Sequence, residues 1–341
     1  MNRPIIINPI VYLRNNILQV KGSVHIPSDE VDLISLVSND HLSTPLKSIW
    51  LMKKKVFKVK IVLLGIEGEK IAERTLETDL FGCFYFKIPV QKEVHQVELF
   101  DLAHSPGIEF YLGNFFPIHI KDSLQIVISD FDKTLVDTTY STLKEMYTSI
   151  SSPLDYYPLI NNSIEKLKSY ISQSYIPFIL SASPHFYEKP IRDWLYKHQV
   201  YSNNIFLKDY RQPFSFSAGE LSFKDIKNQI FYKLNSLMDI LLLTGSPQNL
   251  VLMGDSYESD PIVYLIIAVI LVEKMDPWYV GDKLKANPHF QFNKKQEAIF
   301  LNKIYSLSEL GKNSSVNIQI FIRLYKKKLE DHVFNDFDMK F

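Results

Sequence analysis

Asp130-Phe131-Asp132-Lys133-Thr134 places two carboxylates two residues apart, with a small hydroxyl residue just after them. They follow an apolar run, Leu124 to Ser129, that reads as a buried strand. If that strand ends at the first carboxylate, the chain must curl, and both side chains converge on one pocket. One carboxylate can then attack phosphorus while the other exchanges a proton with the leaving group. The same stretch also fits an acidic loop that merely closes a strand, and the spacing alone does not choose.

Two further segments bear on the choice. Asn249 to Met253 reads as a second buried strand and runs into Gly254-Asp255-Ser256-Tyr257-Glu258-Ser259-Asp260, with two carboxylates five residues apart. A third apolar run, Ile176 to Leu180, ends in Ser181-Ala182-Ser183-Pro184. Parallel α/β sheets bind ligands beyond the carboxyl ends of their strands, so three strands ending in acid, hydroxyl and acid predict one shared site. Carboxylate oxygens are the hard ligands that suit Mg²⁺. The single cysteine, Cys83, offers no soft-metal cluster.

Together these motifs resemble the haloacid dehalogenase (HAD) superfamily of aspartate-nucleophile phosphohydrolases. Asp130 and Asp132 match its first motif, Ser181 its second, and Gly254, Asp255 and Asp260 its fourth. The wording "LSASP" at 180–184, "FLKD" at 206–209, "YKL" at 232–234 and "GDSYESDPIVY" at 254–264 is similar to the catalytic domain of actin-patch-type phosphatidate phosphatases and their bacterial relatives. The resemblance spans roughly 120–325. That family often carries Trp after Ser-Pro, where this chain has His185.

The resemblance implies Mg²⁺-dependent hydrolysis of a phosphomonoester through an aspartyl-phosphate. It makes Asp130 the nucleophile and Asp132 the acid and base. Ser181 binds the phosphoryl group, with Ser183 a weaker candidate. Asp130, Asp255 and the Asp132 carbonyl hold the metal. Asp260 holds the lysine or a metal-bound water, or else caps the next helix. Lys233, 21 residues before Gly254, is the expected phosphate clamp, with Lys227 as the alternative. Ser222 followed by Asp225 has the look of a helix N-cap, which would put Lys224 and Lys227 near a first turn. The expected substrate is phosphatidate or a related lipid phosphate. A soluble or protein phosphoester, and a catalytically silent binding module, are the competing readings.

Composition narrows the partners. Lys+Arg and Asp+Glu are equal at 38, so no basic field marks nucleic acid as the partner. Hydrophobic residues make up 46% and charged residues 22% of the 341 positions, enough for sizeable cores in two domains. One cysteine means no internal disulfide. The N-terminus shows no signal-peptide apolar region, and the longest apolar run, Ile262 to Val272, is too short to span a bilayer and reads as a buried helix. A cytoplasmic protein, peripheral at a membrane if its substrate is a lipid, is the expectation. Secretion without a leader stays compatible.

The elements divide accordingly. Residues 1–118 read as a β-rich, Ig-like sandwich, with strands at Ile17 to Val24 and Val56 to Val62 and a Thr78-to-Phe86 hairpin. It reads either as a docking module or as a packing module. Lys53 to Lys55 and Lys326 to Lys328 are the basic groups that could touch anionic lipid. From 119 to 328, strand and helix alternate, which implies a parallel sheet, and the resemblance implies that it is Rossmann-like, of the HAD type. Helices are expected at Ser163 to Ser172 and from Phe223 to Leu241, the second stopped by Gly245 and Pro247. Short strands are expected at Ile205 to Leu207 and Val316 to Leu324. Gaps of about 45 residues between motifs leave room only for a minimal cap, and an open site suits a lipid headgroup. Residues 329–341 form a charged tail.

Overall fold

The N-terminal region of the computed structural model is built of eight strands whose apolar residues supply a shared core. The structure describes residues 3–26, 54–102, 107–120, 124–138, 152–202, 204–208, 223–256, 259–286, 294–312 and 314–324. Lys53, Lys326 to Lys328, Ser222 and the 329–341 tail lie outside these residues, as do the side chains of Lys224 and Lys227.

The strands are β1 (Ile5–Arg14), β2 (Ile17–His25), β3 (Lys58–Leu64), β4 (Lys70–Glu77), β5 (Cys83–Pro89), β6 (Gln96–Leu102), β7 (Glu109–Phe115) and β8 (Ile118–His119). They form two four-stranded sheets, ordered β5-β2-β1-β8 and β4-β3-β6-β7. Val11, Leu18, Val20 and Phe84 of the first sheet meet Val59, Ile61, Leu63 and Leu99 of the second in one core. The β1–β2 turn is Asn15-Asn16, both at positive φ (48° and 58°), as a two-residue hairpin requires. Ahead of β5, Asp79 Oδ1 accepts from the amides of Phe81 and Cys83, both at 2.8 Å. There Gly82 (φ 76°) sits where any Cβ would meet Val24 O at 2.1 Å.

The second region is a parallel sheet of β9 (Gln125–Ser129), β10 (Ile176–Pro184), β11 (Asn204–Lys208), β12 (Asn249–Asp255) and β13 (Asn317–Arg323). The order is β11-β10-β9-β12-β13, so strand order reverses between β9 and β12. The crevice at such a reversal, beyond the carboxyl ends, is where these sheets place ligands. Helices α1 (Asn161–Ser172) and α2 (Glu188–Lys197) cover one face. Helices α3 (Phe223–Thr244), α4 (Asp260–Leu271), α5 (Pro277–Ala286) and α6 (Lys294–Lys312) cover the other. Successive strand residues alternate between the two cores: Leu250 and Leu252 face α3 and α4, while Val251 and Met253 face α1 and α2. Among the described residues, no helix is long and apolar enough to cross a membrane.

The expected helices and strands of this region are present, with β10 running on through Ser181 and Ser183 to Pro184. Gly245 (φ 86°) ends α3, its amide donating to Leu241 O at 2.8 Å. The cap expectation falls partly on 139–151 and 209–222, outside the described residues.

The two regions share packing. Ile10 and Tyr12 of β1 are buried in the same cluster as α3 and α4. Gln19 Nε2 donates to Leu243 O at 3.1 Å, and the Lys21 ammonium lies 4.1 Å from the Phe206 ring centre. Asn8 bonds through its side chain to the backbone of Ile205 and accepts from Arg192 at 3.4 Å.

Candidate active site

Strand β9 ends at Ser129, and Asp130 extends the ladder by one bond, its amide donating to Met253 O at 2.8 Å. The chain then curls. Phe131 turns away into the core, edge-on to Trp194 with ring centres 5.1 Å apart. Lys133 takes φ 57°, and its amide reaches Val136 O at 2.6 Å. With Phe131 anchored on one side, Asp130 and Asp132 both face the crevice, buried to 1% and 5% exposure.

Asp132 is held by three hydroxyls. Ser181 and Ser183 donate to its Oδ2 at 2.9 and 2.8 Å, and Thr138 donates to its Oδ1 at 3.0 Å. The two seryl groups sit two residues apart at the end of β10, so both project the same way, and the Ser183 amide donates to Ser181 Oγ at 2.9 Å. Ser181, expected to face a phosphoryl group, here donates to Asp132. Thr134 donates to Asp130 Oδ2 at 3.3 Å.

Asp255 ends β12, and Asp260 opens α4. Asp260 accepts the Asp255 amide on Oδ2 at 3.2 Å and the Lys233 ammonium on Oδ1 at 2.6 Å. Lys233 also lies 3.3 Å from Asp130 Oδ1 and is 1% exposed. The helical phase of α3 points this lysine at the crevice. Gly254 leaves space for Asp260: a Cβ there would stand 2.4 Å from Asp260 Oδ2.

The charge balance of the crevice has a consequence. Carboxylate oxygens of Asp130, Asp255 and Asp260 lie within 4.8 Å of one another, all three buried. The Lys233 ammonium offsets one of these three charges. Like charges that close, out of water, are unfavourable unless a cation or a proton joins them. An all-oxygen set of this kind fits Mg²⁺. The Tyr264 hydroxyl, donating to Met253 O at 2.9 Å, is pushed well above the usual tyrosine range by burial and then by the Asp260 carboxylate. It therefore stays a neutral donor beneath the acids.

The structure thus gathers Asp130, Asp132, Ser181, Ser183, Lys233, Asp255 and Asp260 at the strand-order reversal. Sequence reasoning passed over Thr138, Tyr264 and Arg323. Thr138 follows Asp132 by six residues in an irregular segment, and Tyr264 hides inside an apolar helix. Arg323 Nη1 donates to Lys133 O at 2.8 Å across 190 residues, which no local pattern signals.

Residues 125–275 match the family model described as the phosphatidate phosphatase APP1 catalytic domain. No curated protein matches the chain. Among solved structures, a chain of the Pnkp1/Rnl/Hen1 complex is 17% identical, with 45% of this chain and 49% of that chain covered and a TM-score of 0.28. Ruminococcus gnavus β-glucuronidase is 9% identical over 92% of this chain and 42% of its own, with a TM-score of 0.26. The chain spans about half or less of these solved chains, and likeness at that level carries no argument. The motif-bearing segment, residues 125–275, is thus similar to the APP1 phosphatidate phosphatase catalytic domain, a family whose chemistry is phosphoric monoester hydrolysis.

Proposed function

We propose that the protein is a Mg²⁺-dependent phosphatase acting through an aspartyl-phosphate on phosphatidate or a related lipid phosphate. The observation that carries this reading is the buried Asp130 carboxylate, with Lys233 at 3.3 Å and two further carboxylates within reach of one cation. A carboxylate is already ionised at neutral pH and needs no base to attack. Asp130 forms a bond to phosphorus as the bond to the leaving oxygen breaks. Asp132 gives that oxygen a proton. Water then attacks the aspartyl-phosphate, Asp132 takes its proton back, and inorganic phosphate leaves with Asp130 restored.

Lys233 draws negative charge toward Asp130, and Asp260 keeps the lysine in place at 2.6 Å. Ser181 and Ser183 orient Asp132, and their hydroxyls turn to the phosphoryl oxygens when substrate arrives. Asp130, Asp255 and the Asp132 carbonyl would hold Mg²⁺, with Asp260 beside them, and the ion would supply charge compensation for the phosphoryl group.

The test is phosphate release from phosphatidate in mixed micelles, with and without Mg²⁺, for wild type and Asp130→Asn. The substitution keeps the side chain's shape and removes the nucleophile. Turnover below about a hundredth of wild type is expected, since loss of a general acid alone leaves about that much. Higher residual activity would refute the nucleophile assignment.

A further inference from the structure

Arg323 ends β13, directly in register with Asp255 of β12. Its carbonyl accepts the Ser256 amide at 3.0 Å, which fixes the backbone just after Asp255. Its guanidinium reaches the other way. Nη1 donates to Lys133 O at 2.8 Å and lies 3.3 Å from Asp137 Oδ1. One residue therefore bonds to both acidic loops, the one carrying Asp130 and Asp132 and the one carrying Asp255.

The attachment point is informative. Lys133 sits between Asp132 and Thr134 at φ 57°, a conformation that a residue with a side chain adopts only when its surroundings impose it. The Lys133 amide is fixed by Val136 O at 2.6 Å, and its carbonyl by Arg323. Holding that carbonyl sets the direction of the peptide into Thr134, whose hydroxyl donates to Asp130 Oδ2 at 3.3 Å. The path from Arg323 to the carboxylate oxygens of the nucleophile is three residues long.

We propose that Arg323 is a positioning residue for phosphoryl transfer, tying the loop of Asp130 and Asp132 to the loop of Asp255 so that these carboxylates keep a fixed separation. The proposal rests on the phosphatase reading above. A misplacement of about 1 Å between reacting groups lowers turnover by about a hundredfold. Both contacts are made by Nη1, and the rigid plane of the guanidinium fixes the direction of its bond to Lys133 O more closely than a freely rotating ammonium would.

The experiment compares wild type with Arg323→Gln, Arg323→Lys and Asp137→Asn in the full chain, reading kcat, KM, the Mg²⁺ requirement, Tm and amide hydrogen exchange. Arg323→Gln is expected to lower kcat about a hundredfold with KM nearly unchanged. It should also raise the Mg²⁺ requirement and speed exchange in 130–138 and at 255–256 while the β-sandwich keeps its protection. Arg323→Lys should recover part of kcat, and millimolar guanidinium should recover part of it in Arg323→Gln. Asp137→Asn should stay within about twofold of wild type, because the bond to Lys133 O survives and exposed ion pairs contribute little. Unchanged kcat in Arg323→Gln, an equal loss in Asp137→Asn, or exchange that rises throughout the chain would each overturn the proposal. If wild type shows no phosphatase activity, the phosphatase reading fails instead. The exchange measurement still decides whether Arg323 holds the two loops.

Discussion

Replacing Gly254 with alanine tests whether the second acidic loop is built around Asp260. The added Cβ would stand 2.4 Å from Asp260 Oδ2, 2.6 Å from its Cβ and 2.8 Å from its Cγ. Because the Asp260 Cβ is among the atoms struck, no rotamer of Asp260 relieves the clash, and the first turn of α4 must retreat by about 1 Å. That retreat lengthens two contacts at once: Lys233 to Asp260 at 2.6 Å and the Asp255 amide to Asp260 at 3.2 Å. Lys233 would follow Asp260 and leave Asp130. Overpacking of this kind costs about 1–3 kcal/mol of stability, whereas displaced catalytic groups cost about a hundredfold in turnover. Gly254 is not at positive φ, so alanine adds no backbone strain of its own. The assay is kcat on phosphatidate micelles beside a thermal melt and a Mg²⁺ titration. Wild-type kcat in a folded Gly254→Ala protein would refute the view that Asp260 and Lys233 act as a unit.

Other outcomes follow from the same contacts. Chelation with EDTA should abolish phosphate release, and Asp255→Ala should raise the Mg²⁺ requirement sharply; full activity in chelator would point to metal-free chemistry. Tyr12→Ala should cost about 3–5 kcal/mol, the range for truncating a large buried aromatic, and lower one cooperative melting transition rather than splitting it in two. Turnover should be faster on phosphatidate in vesicles than on soluble phosphomonoesters at equal phosphate, and the advantage should shrink with salt. A strong preference for the soluble ester would favour the second substrate class.

Asp130 and Asp255 were legible because each stands at the end of an apolar strand, so a few contiguous residues specify both the element and the side chain it carries. Lys233 was legible only through the resemblance, from its place 21 residues before Gly254 and the "YKL" wording, because the apolar period of Phe223 to Leu241 gives the helix and does not single out a lysine on it. Arg323 was not legible, although its strand was expected. Its role depends on the pairing of β13 with β12, and pairing between strands 68 residues apart is a tertiary outcome. The helices α2, α5 and α6 were not placed from the sequence, since their apolar residues are interspersed with Lys, Asp and Glu. Thr138 lies in irregular backbone, where neither the period of a helix nor that of a strand applies.

The N-terminal strand carries the least expected lesson. Ile5-Ile6-Ile7-Asn8-Pro9-Ile10-Val11-Tyr12-Leu13 is apolar on both faces, which a strand on the outside of a sandwich should not be. Both faces are in fact covered. Val11 faces the sandwich core, while Ile10 and Tyr12 face the core beneath the parallel sheet. A register shift between Ile7 and Ile10 accommodates Pro9 and sets Asn8 at φ 50°, which turns its side chain toward Ile205 and Arg192. Removing residues 1–118 would therefore strip buried apolar surface from the catalytic region as well as remove a domain. Loss of vesicle activity in such a truncation would not separate docking from folding. Charge reversal at the exposed Lys54, which touches neither core, separates them: a docking role predicts weaker vesicle turnover with an unchanged melt, and a packing role predicts that both stay unchanged.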